Sequence, residues 1–121
     1  MDVTMGEMMQ MQRDLYAKHE GEWSPMEPEF GKDSILYMME EVGEVIAIIK
    51  KKGGASVMEN SAVRARFLEE MADVLMYYND ILLRCHVTPE EISQAYLTKF
   101  EKNMCRNYRQ QYEEMYHDGQ S

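Results

Sequence analysis

The chain has 121 residues, 45% of them hydrophobic, and its 22 acidic against 13 basic residues leave a net charge of −9. The apolar content excludes a disordered acidic tail, and the negative charge disfavours broad binding to nucleic-acid polymers. No apolar run approaches the roughly 18 residues of a membrane-spanning helix, and the N-terminus lacks a signal-peptide pattern. We therefore expect a single domain over residues 1–121, soluble and cytoplasmic, without membrane contact. The two cysteines, outside any Cys-x-x-Cys pair, suit a reducing compartment.

Capping residues, prolines and glycine pairs divide the chain into helices. They predict four helices, at about residues 3–18, 34–52, 62–85 and 88–116. The loop of residues 20–33 separates the first two, with Asp33 or Ser34 as N-cap of the second. A hairpin at residues 53–61 precedes the third helix, and a frayed tail is expected over about residues 110–121. This pattern predicts an all-α, four-helix bundle-type fold whose core is completed by oligomerisation, because apolar residues also lie outside each main stripe.

The second helix carries an apolar arc that is predicted to be its core stripe. The arc consists of Ile35, Met38, Met39, Val42, Val45, Ile46 and Ile49. Glu40, Glu41 and Glu44 lie on the other side, together with Tyr37 and Ile48. A purely solvated face seldom mixes apolar residues with three carboxylates, so this acidic face is predicted to contact something.

The third helix has a similar arrangement. Its predicted core arc consists of Phe67, Met71, Val74, Leu75, Tyr78, Ile81 and Leu82. Glu70, Asp73 and Tyr77 form a stripe along one edge of this arc, whereas Asp80 is predicted to point outward. Because Glu70 and Asp73 are three residues apart, they stand one turn from each other on one helix face.

Two helices thus each offer a pair of carboxylates at the same spacing, Glu41 with Glu44 and Glu70 with Asp73. Four carboxylates facing each other in a bundle repel strongly unless cations lie between them. Oxygen-only ligands favour a hard ion, Mg²⁺ with Mn²⁺ as a substitute. The alternative is that these residues are solvated helix charges of an acidic protein.

The fourth helix continues its apolar stripe with polar residues, Lys99, Asn103 and Arg106. This is the one basic stretch of an acidic chain. A basic stripe beside a carboxylate cluster suits a metal-bound phosphate ester, in which the cations neutralise phosphate oxygens. The alternative is the ordinary preference of basic residues for the C-terminal half of a helix.

The segment Glu40-Glu41-Val42-Gly43-Glu44, followed after 25 residues by Glu70-Met71-Ala72-Asp73, resembles a known signature. It is the EExxE…ExxD motif of the MazG-like all-α nucleoside triphosphate pyrophosphohydrolases. The resemblance implies a helical homodimer or homotetramer that binds Mg²⁺. It also implies cleavage between the α- and β-phosphates, which gives a nucleoside monophosphate and pyrophosphate.

The resemblance also implies roles for individual residues of the two motifs. By motif position, the Mg²⁺ ligands are Glu41, Glu44, Glu70 and Asp73. Glu40 matches the first signature Glu, as a further ligand or a group that orients water, so that Glu40 and Glu41 are the candidate catalytic pair.

Further residues resemble the substrate contacts of single-domain members of the family. Tyr77, Lys99 and Asn103 resemble residues that touch the nucleotide, and Lys99 and Arg106 are expected to stabilise charge on the outer phosphates. Trp23, in the loop before the second helix, is a candidate for stacking on the base. Its alternative role is to anchor that loop.

Two other classes of protein compete with this interpretation. A di-iron carboxylate bundle needs paired Glu-x-x-His motifs, and the chain has a single one, Glu114 to His117. A non-enzymatic helical dimerisation or regulatory module with a vestigial acidic site is the second alternative. The sequence leaves open the preferred base and sugar, one metal or two, and dimer or tetramer.

Overall fold

The helices of this chain were located in a computed structural model, which describes residues 1–118, with the side chains of Tyr108, His117 and Asp118 excepted. The helices are α1 (Met5–Lys18), α2 (Gly31–Lys52), α3 (Gly54–Glu59), α4 (Ser61–Arg84), α5 (Pro89–Cys105) and α6 (Tyr108–Asp118), with a 3₁₀ turn at Pro28–Phe30. Residues 1–118 contain no strand, which confirms the all-α prediction. Within the same range, no helix combines the length and apolar character needed to cross a membrane.

Local capping chemistry explains where two of the helices begin. Thr4 caps α1, because its hydroxyl accepts from the Glu7 N–H at 3.1 Å and the Glu7 carboxylate accepts from the Thr4 N–H at 3.0 Å. Asn60 caps α4, since its side-chain oxygen accepts from the N–H groups of Ala62 and Val63, each at 3.1 Å.

Three predicted boundaries were wrong. The second helix begins at Gly31 directly after the 3₁₀ turn and has no side-chain cap, so neither Asp33 nor Ser34 is its N-cap and the loop ends before residue 33. The hairpin at residues 53–61 contains the short helix α3, which follows Gly53 at a φ of 82°. The predicted fourth helix is divided, because α5 ends at Cys105 and α6 starts at Tyr108. The helix α6 covers the predicted tail as far as Asp118, the fraying of this tail stays a prediction, and residues 119–121 lie outside the described range.

The chain divides into two compact units, Met1–Pro89 and Glu90–Ser121. In the first unit, α2 and α4 pack against each other over most of their length, and α1 and α3 pack against α4. The α2–α4 pair is antiparallel, because Ser34 contacts Asp80 while Glu41, two turns further along α2, lies beside Asp73. In the second unit, the apolar side chains of α5 are exposed, among them Tyr96, Leu97, Phe100 and Met104.

The prediction of the core stripe on α2 was wrong for this unit. Of its seven members only Val45 is buried, whereas Ile35, Met39, Ile46 and Ile49 are exposed, Ile46 to 57%. The helix instead turns the face bearing Ser34, Glu41 and Ile48 towards α4, at a seven-residue spacing. The predicted arc of α4 is likewise only partly buried: Leu82 is buried, while Met71 and Leu75 are exposed. The α2–α4 contact is therefore made by the faces that carry the ionisable residues.

Candidate functional site

Three carboxylates converge where α2 and α4 pack together. Glu41 lies on α2, and Glu70 and Asp73 lie on α4. Each offers an oxygen atom, and these three atoms lie within 4.8 Å of one another. All three side chains are half-buried. We call these residues the acidic cluster.

Without a compensating cation, Glu41 of the acidic cluster is only partly ionised near neutral pH. The pKa of Glu41 is raised from 4.5 to about 7, first because its carboxyl group hydrogen-bonds to Glu70 and then because of burial. The negative charges of Asp73, Glu70 and Glu44 raise it further. An oxygen-only donor set of like charges at this separation fits a hard divalent cation.

The structure brings three of the four predicted metal ligands together. The fourth, Glu44, is exposed, and its carboxylate lies 3.9 Å from the Arg66 guanidinium. Glu40 is exposed on the same helix. Both act on the site through their charge, because Glu44 raises the pKa of Glu41 and Glu40 raises that of Tyr77.

A cleft of about 620 Å³ opens beside the acidic cluster within the first unit. Its lining residues include Trp23, Asp33, Ser34, Tyr37, Glu41, Asp73, Met76, Tyr77, Asp80 and Arg84. The rings of Tyr37 and Tyr77 face each other across the helix pair at a centroid distance of 6.0 Å. Burial, followed by the charges of Glu41 and Asp73, raises the pKa of Tyr77, so its hydroxyl stays protonated beside the carboxylates.

Trp23 lies in the wall of the same cleft. Its ring stacks on His19, with centroids 4.6 Å apart and planes 15° from parallel, and it remains 37% exposed. This stack attaches the loop to the end of α1, as the anchoring role requires, whereas stacking of Trp23 on a base stays a prediction.

The sequence interpretation missed a buried ion pair at the other end of the cleft. Asp80, predicted to point outward, is 5% exposed, and Arg84 is 4% exposed. The Arg84 Nε donates to Asp80 Oδ2 at 2.7 Å, and the Ser34 hydroxyl donates to the same oxygen at 2.5 Å. The signal was present in the spacing, because the stripe of Glu70, Asp73 and Tyr77 continues at the same heptad positions through both residues.

The remaining predicted site residues belong to the second unit. Lys99 is exposed on α5. Asn103 is half-buried, and its side-chain oxygen has no hydrogen-bond partner among the described residues. The Arg106 Nε donates to Gln111 Oε1 at 2.6 Å. Their roles towards a substrate stay predictions.

Comparisons of the chain with protein-family models, with curated proteins and with solved structures each found no match. The functional conclusion therefore relies on the side chains and geometry of the chain itself.

Proposed function

We propose that this protein is a Mg²⁺-dependent nucleoside triphosphate pyrophosphohydrolase that acts in nucleotide-pool cleaning. The observation that carries the proposal is the convergence of Glu41, Glu70 and Asp73 at one end of a cleft with aromatic walls. Both motifs of the MazG-like signature contribute to this cluster, although they lie on different helices. A MazG-like four-helix arrangement is part of the same proposal.

The three carboxylates of the acidic cluster would hold Mg²⁺, with Mn²⁺ as a substitute, and Glu44 is the proposed fourth ligand one turn further along α2. When bound, the cation offsets charge on the triphosphate and acidifies water. Glu40 is proposed as a further ligand or the group that orients the attacking water.

The overall reaction adds one water molecule and breaks one phosphoanhydride bond. The water oxygen forms a bond to the α-phosphorus, the bond from that phosphorus to the bridging oxygen breaks, and pyrophosphate leaves with the bond electrons. The products are a nucleoside monophosphate and pyrophosphate. Tyr77 and Trp23 line the cleft, and we propose Tyr77 as a contact of the nucleotide and Trp23 as the surface on which the base stacks. By the same resemblance, Lys99 and Arg106 are the proposed contacts of the outer phosphates, and Asn103 is a proposed contact of the nucleotide.

A second copy of the chain is the proposed partner of the outward apolar stripe on α2. Ile35, Met39, Ile46 and Ile49 are exposed there at 3- and 4-residue spacing, the pattern of a helix that packs on another helix. Glutamate at the centre of this stripe, Ile46→Glu, is expected to convert a dimer or tetramer to a smaller species in sedimentation equilibrium. Lys51→Glu, at an exposed position on another face of the same helix, should leave the assembly intact.

A product assay tests the reaction. The protein is incubated with a panel of ribo- and deoxyribonucleoside triphosphates, with Mg²⁺ or with EDTA, and the products are resolved by ³¹P NMR. We expect monophosphate and pyrophosphate, with turnover lost in EDTA. Diphosphate and orthophosphate would contradict cleavage at the α-phosphorus. No turnover of any nucleotide would favour the non-enzymatic helical module.

A further inference from the structure

The cleft extends from the acidic cluster to the buried Asp80–Arg84 pair. On α2, Ser34 precedes Glu41 by seven residues, and on α4, Asp80 follows Asp73 by seven residues. At a rise of 1.5 Å per residue, the two levels are about 10 Å apart. Both levels line the same cleft. This separation matches the reach of a nucleotide from its α-phosphate to its base, so a triphosphate held at the acidic cluster places its base near the ion pair.

Arg84 links the end of α4 to the loop that carries Trp23. Its Nη1 donates to the carbonyl of Ser24 at 3.2 Å, to the hydroxyl of Ser24 at 2.8 Å and to the carbonyl of Pro25 at 2.7 Å. These acceptors lie about 60 residues earlier in the chain, in a segment without helix. The three acceptors share the two N–H groups of this buried nitrogen, and these contacts fix the position of the loop on the helix pair.

Asp80 determines the direction in which Arg84 reaches the loop. The guanidinium is a rigid planar fork, so an Nε hydrogen bond to Asp80 fixes the direction of Nη1. The Ser34 hydroxyl, from α2, holds the same Asp80 oxygen. The loop position is therefore defined by side chains from both helices that form the cleft.

Trp23 immediately precedes the anchored Ser24, and its exposed surface faces the cleft. We propose that Arg84, oriented by Asp80, is a positioning residue that holds the Trp23 loop at the base-binding end of the cleft. It sets the affinity for the base of a nucleoside triphosphate and leaves phosphate binding at the acidic cluster unchanged. This inference rests on the proposed function.

The variant Arg84→Lys tests the proposal, because lysine keeps the positive charge beside Asp80 but has one nitrogen where the fork uses two. The matched control is Arg64→Lys, the same change at an exposed position of the same helix. Three quantities are measured: KM and kcat for the best substrate of the panel, the inhibition constant of inorganic triphosphate, and acrylamide quenching of fluorescence. Inorganic triphosphate carries the phosphates without a base, and Trp23 is the sole tryptophan of the chain.

We expect Arg84→Lys to raise KM roughly tenfold, as for the loss of one base–aromatic stack, with little change in kcat. The inhibition constant of inorganic triphosphate should stay the same, while acrylamide quenching of Trp23 should increase. Arg64→Lys should match the wild type in all three. A merely structural role for Arg84 would raise KM and the inhibition constant together.

Different outcomes separate this inference from the proposed function. An active enzyme in which Arg84→Lys changes neither KM nor quenching overturns the positioning role alone. A wild-type protein that hydrolyses no nucleotide overturns the proposed function and the base-positioning role with it. If circular dichroism shows that Arg84→Lys is unfolded, Ser24→Ala replaces it, because this variant removes one of the three acceptors. Ser24→Ala must then show the same selective rise in KM, to a smaller extent.

Discussion

The two ends of the cleft carry ionisable residues on the same two helix faces, but the charges are arranged in opposite ways. At one end, Glu41, Glu70 and Asp73 have the same sign and are half-buried. At the other end, Asp80 and Arg84 have opposite signs, are almost fully buried and are completed by hydrogen bonds. The paired charges can hold the loop in place because they are neutralised within the protein. The like charges of the acidic cluster instead repel one another and raise the pKa of Glu41.

The largest expected effect is on turnover and comes from the acidic cluster. Asp73→Asn removes one charged ligand of the proposed Mg²⁺, so kcat should fall by at least roughly 100-fold while helicity is retained. Initial rates at saturating Mg²⁺, with circular dichroism as the folding check, measure this. Glu69→Gln, at an exposed neighbouring position, is the control and should keep wild-type activity. Near-wild-type hydrolysis by Asp73→Asn would remove Asp73 from the metal site.

The ion pair should instead give a large effect on stability. Asp80→Ala leaves the Arg84 guanidinium buried without its carboxylate, so the free energy of unfolding should fall by about 3 kcal/mol or more. Urea denaturation followed by circular dichroism measures the change. Asp33→Ala, at an exposed position of the same cleft, should shift the midpoint little. If Asp80→Ala and Asp33→Ala had the same free energy of unfolding, the Asp80–Arg84 ion pair would not be what stabilises this end of the cleft.

A smaller effect of opposite sign is expected for Glu41→Gln in the metal-free protein. Folding raises the pKa of Glu41 from 4.5 to about 7, so its ionisation destabilises the folded state progressively between these values. This destabilisation is absent below pH 4.5 and complete above about pH 7. Glutamine removes the charge, so the variant should melt a few degrees above the wild type in EDTA at alkaline pH.

Glu41→Gln and the wild type should have the same melting temperature at a pH below 4.5, where Glu41 is protonated in both the folded and unfolded states. Thermal denaturation across this range measures the difference, with Glu69→Gln as the control. A variant that is less stable than the wild type at alkaline pH would contradict the repulsion assigned to the acidic cluster.

Local patterns were sufficient for part of the fold. The helical class, the end of α2 at Gly53 and the i, i+3 pairing of Glu70 with Asp73 follow from residue spacing, since these features depend on neighbours within one or two turns. The expectation that the acidic face of α2 contacts something was also based on spacing, from Tyr37 and Ile48 beside the carboxylates. Ile48 is buried, as that expectation requires.

The burial of Asp80 was missed, although Asp80 continues the heptad stripe of Glu70, Asp73 and Tyr77. Ser34 was predicted to be an N-cap and Asp80 to point outward, because each prediction used only the residues of its own helix. Their hydrogen bond joins residues 46 positions apart and depends on the register of two antiparallel helices. A stripe of ionisable residues is typical of a solvated face unless the partner helix is known.

The sequence by itself determined that this chain is helical, where α1 and α4 begin and end to within two residues, and that carboxylates repeat on two of its helices. Only the tertiary structure decided which face of α2 turns towards α4, and with it the meeting of Glu41 with Glu70 and Asp73 and the burial of Asp80 with Arg84. The physical reason is that α2 is apolar on one arc and mixed on the other. Hydrophobicity alone favours burying the apolar arc, whereas the hydrogen bond from Ser34 to Asp80 and the packing of Ile48 hold the mixed one inside.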